Sequence, residues 1–236
     1  MKRYGMTIDI DRCNGCGACM AACAVENNIP PANAGADERK GITPIRVYQI
    51  DNGAAYPDRR TAFIPMLCQQ CGHETPCAHV CPQQAVDVDP DTGIVGQMAG
   101  RCLGCRYCMA ACPYHARYFN WWDPEWPAGM EKTLNPNVAP RQRGVVEKCN
   151  FCHGRRHAAM EKAAAAGKKE IDDADYVPAC AEACPTGAIR FVDLNASAAP
   201  EGSFRLLERL DTDTKIYYRS KKEWVGKAAG GAHHNG

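Results

Sequence analysis

Sixteen cysteines in 236 residues, arranged as four groups of four, constrain this chain more than any other feature. Group I is Cys13, Cys16, Cys19 and Cys23, in "CNGCGACMAAC". Group II is Cys68, Cys71, Cys77 and Cys81, in "CQQCGHETPCAHVCP". Group III is Cys102, Cys105, Cys108 and Cys112, in "CLGCRYCMAACP". Group IV is split: Cys149 and Cys152 come first, and after a 27-residue gap come Cys180 and Cys184, in "CAEACP". Every group ends in C-x-x-x-C, and groups II, III and IV continue with proline.

Cysteines at this density mean disulfides in an exported chain or metal ligands. The opening "MKRYGMTIDIDRC" has neither the apolar core of a Sec-type signal peptide nor a paired-Arg motif. No stretch approaches 18 apolar residues, so no membrane span is expected. Disulfides are therefore disfavoured, and an export signal, if one is used, belongs to a partner.

Group III matches the bacterial ferredoxin run C-x2-C-x2-C-x3-C-P. Three cysteines at that spacing wrap a tight loop around one cubane. The fourth lies about one turn into the following helix, where its thiolate points toward a second cluster. Gly15, Gly17, Ala18 and Gly104 keep these loops small enough for backbone amides to approach cluster sulfur. Zinc sites with four thiolates do not explain recurring triplets. Disulfides fail too, because cysteines three apart rarely pair well.

One stretch competes with this reading. "CNFCH", from Cys149 to His153, matches the C-x-x-C-H attachment signature of a c-type haem. A haem there would leave Cys180 and Cys184 without cluster mates, whereas all sixteen cysteines together fill four cubanes. No covalent haem is expected, and His153 reads as a polar residue opening a helix.

The expected class is α+β, built from two bacterial-ferredoxin-like units with loop and helix insertions. Residues 6–10, 85–89 and 188–194 alternate as short strands. "PDTG" at 90–93 turns into a hairpin ending in "IVGQ". Residues 153–167 are Ala-rich and stop at Gly167, a helix inside the group IV gap. Groups I and IV define one unit, 1–66 plus 145–195. Groups II and III define the other, 67–144. Residues 196–236 form a C-terminal extension whose "GKAAGGAHHNG" end reads as a flexible tail. Trp121, Trp122 and Trp126 crowd a proline-containing loop that either shields the clusters or docks a partner, since aromatics are enriched at interface cores. The bare chain has net charge +1, which the clusters' own charge would make negative. Arg12, Arg101, Arg106, Lys148, Arg155 and Arg156 lie near cysteines and could offset that charge.

The order of the groups, the split fourth group and the stretches "RCLGCRYCMAACPYHARYFNW", "GVVEKCNFC" and "PACAEACPTGAI" resemble the four-cluster electron-transfer subunit of complex iron–sulfur molybdoenzymes. The "NWWDPEWPAGMEKTLNPNV" block is similar to the iron–sulfur proteins of Qrc-type menaquinone reductase and alternative complex III. The resemblance runs from residue 4 to about 218.

This resemblance implies four [4Fe-4S] clusters with nested ligation. Cys13, Cys16 and Cys19 would share a cluster with Cys184, and Cys149, Cys152 and Cys180 one with Cys23. Cys68, Cys71 and Cys77 would share one with Cys112, and Cys102, Cys105 and Cys108 one with Cys81. The spacing by itself leaves open a pairing of I with II and III with IV. Some relatives carry a [3Fe-4S] cluster where a group III ligand is replaced, but here all four cysteines are present. Five residues separate Cys71 from Cys77, one more than in many relatives. Cys77 is thus the ligand most open to replacement, with His73 or His79 as substitutes.

The implied role is electron relay, with no bond chemistry of its own and no catalytic residues. Implied partners are a large molybdopterin-type subunit, a membrane subunit that binds quinone, and a multihaem cytochrome c. No nucleic acid is expected. The implied location is peripheral, on the periplasmic face of the cytoplasmic membrane, reached by export with a partner. The rivals are a cytoplasmic subunit of a soluble formate dehydrogenase or hydrogenase, a polysulfide- or dimethyl sulfoxide-type reductase subunit, and a zinc-bound module.

Overall fold

The first strand, β1 (Tyr4–Asp9), alternates as its sequence predicts, and Tyr4, Met6 and Ile8 are buried on one face. A computed structural model describes residues 2–31, 42–72 and 74–231. β1 pairs antiparallel with β8 (Ile189–Asp193), with Thr7 opposite Arg190. On its other edge it pairs in parallel with β9 (Ile216–Arg219), with Met6 opposite Ile216. Gly5 lets β9 come close, because a Cβ there would sit 2.6 Å from the Lys215 carbonyl.

Between β1 and β8 the chain runs through α1 (Ala18–Glu26), the hairpin β2 (Ile45–Asp51) and β3 (Thr61–Leu67), and α2 (Pro76–His79). It continues through the hairpin β4 (Val86–Val88) and β5 (Val95–Gln97), then α3 (Tyr107–Ala110). The short pair β6 (Tyr118–Phe119) and β7 (Val146–Glu147) follows, then α4 (His153–Ala165) and α5 (Ala179–Glu182). The mixture of short helices with small, mostly antiparallel sheets is an α+β fold.

Two apolar clusters form. The larger gathers Met6, Ile8, Ile10, Ile45, Leu67, Phe151, Ile216 and Tyr218, with cysteines on its border. The smaller holds Val86, Val95 and Val146 with Cys77 and Cys108. Burying one such aliphatic side chain contributes about 1.5–3 kcal/mol. The second core is so small that cysteine sulfur makes up a large part of it.

Helix α4 fills the group IV gap as its composition predicts. Ala159 and Ala163, four apart, are its buried face. Gly167 at φ 69° ends it, and the Lys168 amide returns to the Ala163 carbonyl at 2.9 Å.

The C-terminal extension is structured, and its last helix runs into the first part of the stretch, 226–236, whose composition suggests a tail. β9 is a sheet strand, Tyr218 and Val225 are fully buried, and α6 spans Glu223–Gly231. Three of the last strand's four residues are β-branched or aromatic, and they pair with an edge of β1 that would otherwise be bare. Residues 232–236, with His233 and His234, lie outside the described residues.

Candidate metal centres

The four C-x-x-C turns share one backbone device. The residue before the second cysteine is left-handed in each: Gly15, Gln70, Gly104 and Phe151 have φ of 77°, 51°, 77° and 55°. That conformation turns successive amides toward one side and forms a concave nest for negative charge. At Gly104 only glycine fits, since a Cβ would meet the Gly144 carbonyl at 2.4 Å. Gln70 and Phe151 adopt the same φ against their own Cβ, at about 1–2 kcal/mol each. Packing holds them there. Gln70 is fully buried, donates to the Cys149 carbonyl at 2.9 Å and accepts from the Val95 amide at 2.8 Å. Phe151 is equally buried, and its carbonyl accepts from the Tyr176 hydroxyl at 2.6 Å. "CNFC" therefore shares the left-handed residue of "CNGC" and "CLGC", with an aromatic anchor in place of glycine, and its second cysteine, Cys152, is left-handed as well at φ 57°.

A second device follows the last cysteine of three groups, where the sequence reads C-P-x-x-A. Its second variable position is again left-handed, at Gln84, His115 and Gly187. The alanine amide then reaches back to sulfur: Ala85 to Cys81 and Ala188 to Cys184, both at 3.2 Å. Ala116 donates to Cys112 in the same way. All three alanines are buried, which leaves no room for a larger side chain. Group I lacks the proline, so α1 continues past Cys23 and the Asn27 amide is used within the helix. There the Asn27 side chain supplies the donor, 3.6 Å from the Cys23 sulfur.

All sixteen cysteines are free thiols. Cys13 and Cys19 interact electrostatically with Cys184. Cys180 interacts with Cys149, Cys152 and Cys23. Cys71 interacts with Cys68, Cys77 and Cys112, and Cys108 with Cys102 and Cys81. Electrostatic interactions also run between neighbouring gatherings: Cys23 with Cys19, and Cys149 with Cys68. Cys16 and Cys105 are the two exposed cysteines and lie at opposite ends of this series. Among the described residues, no three His, Cys, Asp or Glu side chains gather as a site for a single metal ion. The thiols surround wider spaces.

Burial pushes Cys19 up to about 11 and Cys23 and Cys71 up to about 12, and it raises Cys149 and Cys180 as well. Cys81 and Cys184 go the other way. Burial opposes their thiolates, but the amides of the C-P-x-x-A turns outweigh it. Iron binding to the raised thiols must release protons.

Four cations are sequestered near the thiols. Lys148 is buried and donates to the carbonyls of Val95 and Cys149. Lys215 is 1% exposed and donates to the carbonyls of Gln70 at 2.6 Å and Cys71 at 3.0 Å; burial lowers it to about 8. Arg141 pairs with Glu147 and donates to the Asn27 carbonyl. Arg117 is buried with Nε and Nη1 lacking any acceptor, and the thiols it interacts with are Cys77, Cys108 and Cys68. Buried guanidinium N–H groups facing thiols fit anionic clusters, whose sulfur atoms accept such bonds.

Of the cations expected from sequence, only Lys148 is buried among cysteines. Arg155 pairs with Glu26 at 2.8 Å, Arg156 pairs with Asp89 at 2.8 Å, and Arg12 and Arg101 are exposed. Arg106 lies over the Trp121 ring, 4.8 Å from its centroid. Trp121 and Trp126 are half-buried, and Trp122, Leu103 and Tyr107 are exposed. Sequence reasoning missed Arg117, Arg141 and Lys215. Arg117 alone had a local signal, five residues after Cys112. His79 is exposed 3.3 Å from Glu74, while Cys77 is buried with Cys68 and Cys112; His73 lies outside the described residues. His153 is exposed at the start of α4.

Two family models, both described as 4Fe-4S dicluster domains, match residues 59–128 and 9–85. The chain is 50% identical to the menaquinone reductase iron–sulfur cluster-binding subunit of Nitratidesulfovibrio vulgaris, over 94% of this chain and 91% of that protein. It is 39% identical to the Hdr-like menaquinol oxidoreductase iron–sulfur subunit 1 of Archaeoglobus fulgidus, over 78% and 66%. It is 32% identical to the thiosulfate reductase electron transfer subunit PhsB of Salmonella typhi, over 96% and 97%. With sixteen thiols arranged for four cubanes, the chain belongs to the 4Fe-4S dicluster family of iron–sulfur subunits that carry electrons within oxidoreductase complexes.

Proposed function

We propose that this chain is the iron–sulfur wire of a quinone-linked, menaquinone reductase-like respiratory complex. The ligand sets are Cys13, Cys16, Cys19 and Cys184; Cys149, Cys152, Cys180 and Cys23; Cys68, Cys71, Cys77 and Cys112; and Cys102, Cys105, Cys108 and Cys81. Each bound cluster supplies a one-electron carrier. The sets follow one another in that order, the first two in one ferredoxin-like unit (1–66 plus 145–195) and the last two in the other (67–144), with 196–236 as an extension.

The observation that carries this reading is the position of Cys149, whose thiol interacts with Cys23 of one unit and Cys68 of the other. It makes the two halves one continuous series. The exposed Cys16 and Cys105 mark entry and exit. The chain's own residues do three things: buried thiols exclude water, amides and Asn27 stabilise thiolate charge, and buried cations favour the reduced state.

The proposed partners are a molybdopterin-type large subunit and a quinone-binding membrane subunit, with a multihaem cytochrome c as a further member. Among the described residues no helix is long and apolar enough to cross a membrane. The proposed location is the periplasmic face. Affinity purification of the native complex from membranes tests this reading. Co-purification of an integral membrane subunit, with cluster reduction by menaquinol or oxidation by menaquinone, is expected. A complex recovered from the soluble fraction, lacking such a subunit, would contradict it.

A further inference from the structure

Arg117 differs from the other sequestered cations in where its donors go. Lys148 and Lys215 spend theirs on backbone carbonyls, and Arg141 is paired with Glu147. Arg117 is 4% exposed and has one protein acceptor, the side-chain carbonyl of Gln97. Its Nε and Nη1 are buried without a partner. A buried donor left unsatisfied costs about 1–3 kcal/mol, more for a charged group, so the position calls for an acceptor from outside the polypeptide.

The thiols around it name that acceptor. The guanidinium interacts with the thiols of Cys77, Cys108 and Cys68. Under the ligand sets above, on which this inference rests, those thiols belong to two different clusters. A planar guanidinium presents its N–H groups in a fixed fork, so one side chain can serve two acceptors in different directions. Both clusters become more negative on reduction, and a cation fixed between them favours an added electron on either.

We propose that Arg117 is a redox-tuning residue shared by the two clusters of the group II–III unit, donating from Nε and Nη1 to their sulfur atoms and raising both reduction potentials together. Gln97 positions it by holding the third corner of the guanidinium. A shared cation keeps the two potentials in step, which suits rapid transfer between neighbours.

The test is an EPR-monitored redox titration of the intact complex carrying wild-type chain, Arg117→Met or Arg117→Lys, with iron counted in each. In Arg117→Met, two of the four cluster signals should move to lower potential, each by at least tenfold in its reduction equilibrium, about 59 mV for one electron. The other two should stay at their wild-type values. Arg117→Lys keeps the charge and loses the fork, so the same two signals should move by less. With four clusters bound, a shift in one signal, in all four or in none overturns the proposal. If Arg117→Met loses iron, Arg117→Lys decides: movement of two signals supports shared tuning, and wild-type potentials throughout overturn it. A wild-type chain with fewer than four clusters would overturn the ligand sets themselves, and this proposal with them.

Discussion

The side-chain amide of Asn27 donates to the sulfur of Cys23 at 3.6 Å, where the other three groups use a backbone amide. The difference traces to one residue. Without a proline after Cys23, α1 runs on to Glu26 and commits its amides to helix bonds. A donor to sulfur favours the more negative, reduced cluster.

Asn27→Ala should therefore lower the potential of one cluster, the one that includes Cys23, by roughly tens of millivolts, as loss of one weak charge-assisted bond implies. Potentiometric EPR checks this. The other three clusters are the internal control, and a shift shared by all four would show a general loosening instead.

His153→Ala should leave all four clusters in place, because the ring is exposed, its neighbours are His157, Arg156 and Asp89 rather than cysteines, and its backbone amide donates to the Asn150 side chain at 3.3 Å. Cys149→Ser should remove or convert one cluster. Iron and sulfide analysis distinguishes the two variants. A positive haem stain on this chain, lost in Cys149→Ser, would revive the covalent-haem reading of "CNFCH".

Much of the site is written locally, and that is why it can be read from sequence. Three of the four groups set their first three thiols within one short stretch, and even the split group keeps its C-x-x-C turn, so ligand spacing survives in the chain as a motif. The strands at 85–89 and 188–194 are legible for the same reason, since each follows directly from a C-P-x-x-A turn. What is not legible depends on contacts between distant segments. Lys215 matters because it caps carbonyls 144 and 145 positions away. Arg141 is brought to Asn27 across 114 positions. β9 was hidden because "KIYYR" is short and its partner, β1, lies at the other end of the chain.

Gly104→Ala should damage the group III loop. The position has φ 77° and would press a Cβ to 2.4 Å from a backbone carbonyl that cannot rotate away. The left-handed conformation alone costs about 1–2 kcal/mol, and the clash adds to it. The expected result is loss of about one cluster per chain, read as iron content and as a missing EPR signal. Full occupancy with unchanged spectra would contradict the account of this loop.

The Arg156–Asp89 ion pair, at 2.8 Å, ties α4 to the β4–β5 turn and so links the two halves. Burial opposes the Asp89 carboxylate, but the Thr92 and Asp91 amides and the Arg156 charge hold its pKa below the ordinary value. Its stabilisation is complete above the unfolded carboxyl range near 4 and is lost as pH falls through the lowered folded value. Asp89→Asn should lower stability by about 1 kcal/mol, and the gap from wild type in thermal midpoint should be constant from pH 5 to 8. A gap that widens as pH falls from 7 to 5.5 would instead assign the titration to the nearby His153, whose protonated ring the Asp89 carboxylate favours.

Tyr218 tests the C-terminal strand. It is fully buried, accepts from Gln69 Nε2 at 3.1 Å and donates to the Pro65 carbonyl at 3.3 Å. Tyr218→Ala should destabilise the chain by about 3–5 kcal/mol, as deletion of a buried aromatic ring does. Chemical denaturation followed by loss of cluster absorbance would measure it, and a change under 1 kcal/mol would mean that β9 does not anchor the sheet.

The most direct test of the central claim is a full reductive titration of the isolated complex with metal and acid-labile sulfide counted on this chain. Four [4Fe-4S] clusters predict about sixteen iron atoms, about sixteen sulfides and about four electrons taken up per chain, with no zinc. A chain that carries zinc, or fewer than four clusters' worth of iron, would contradict the claim.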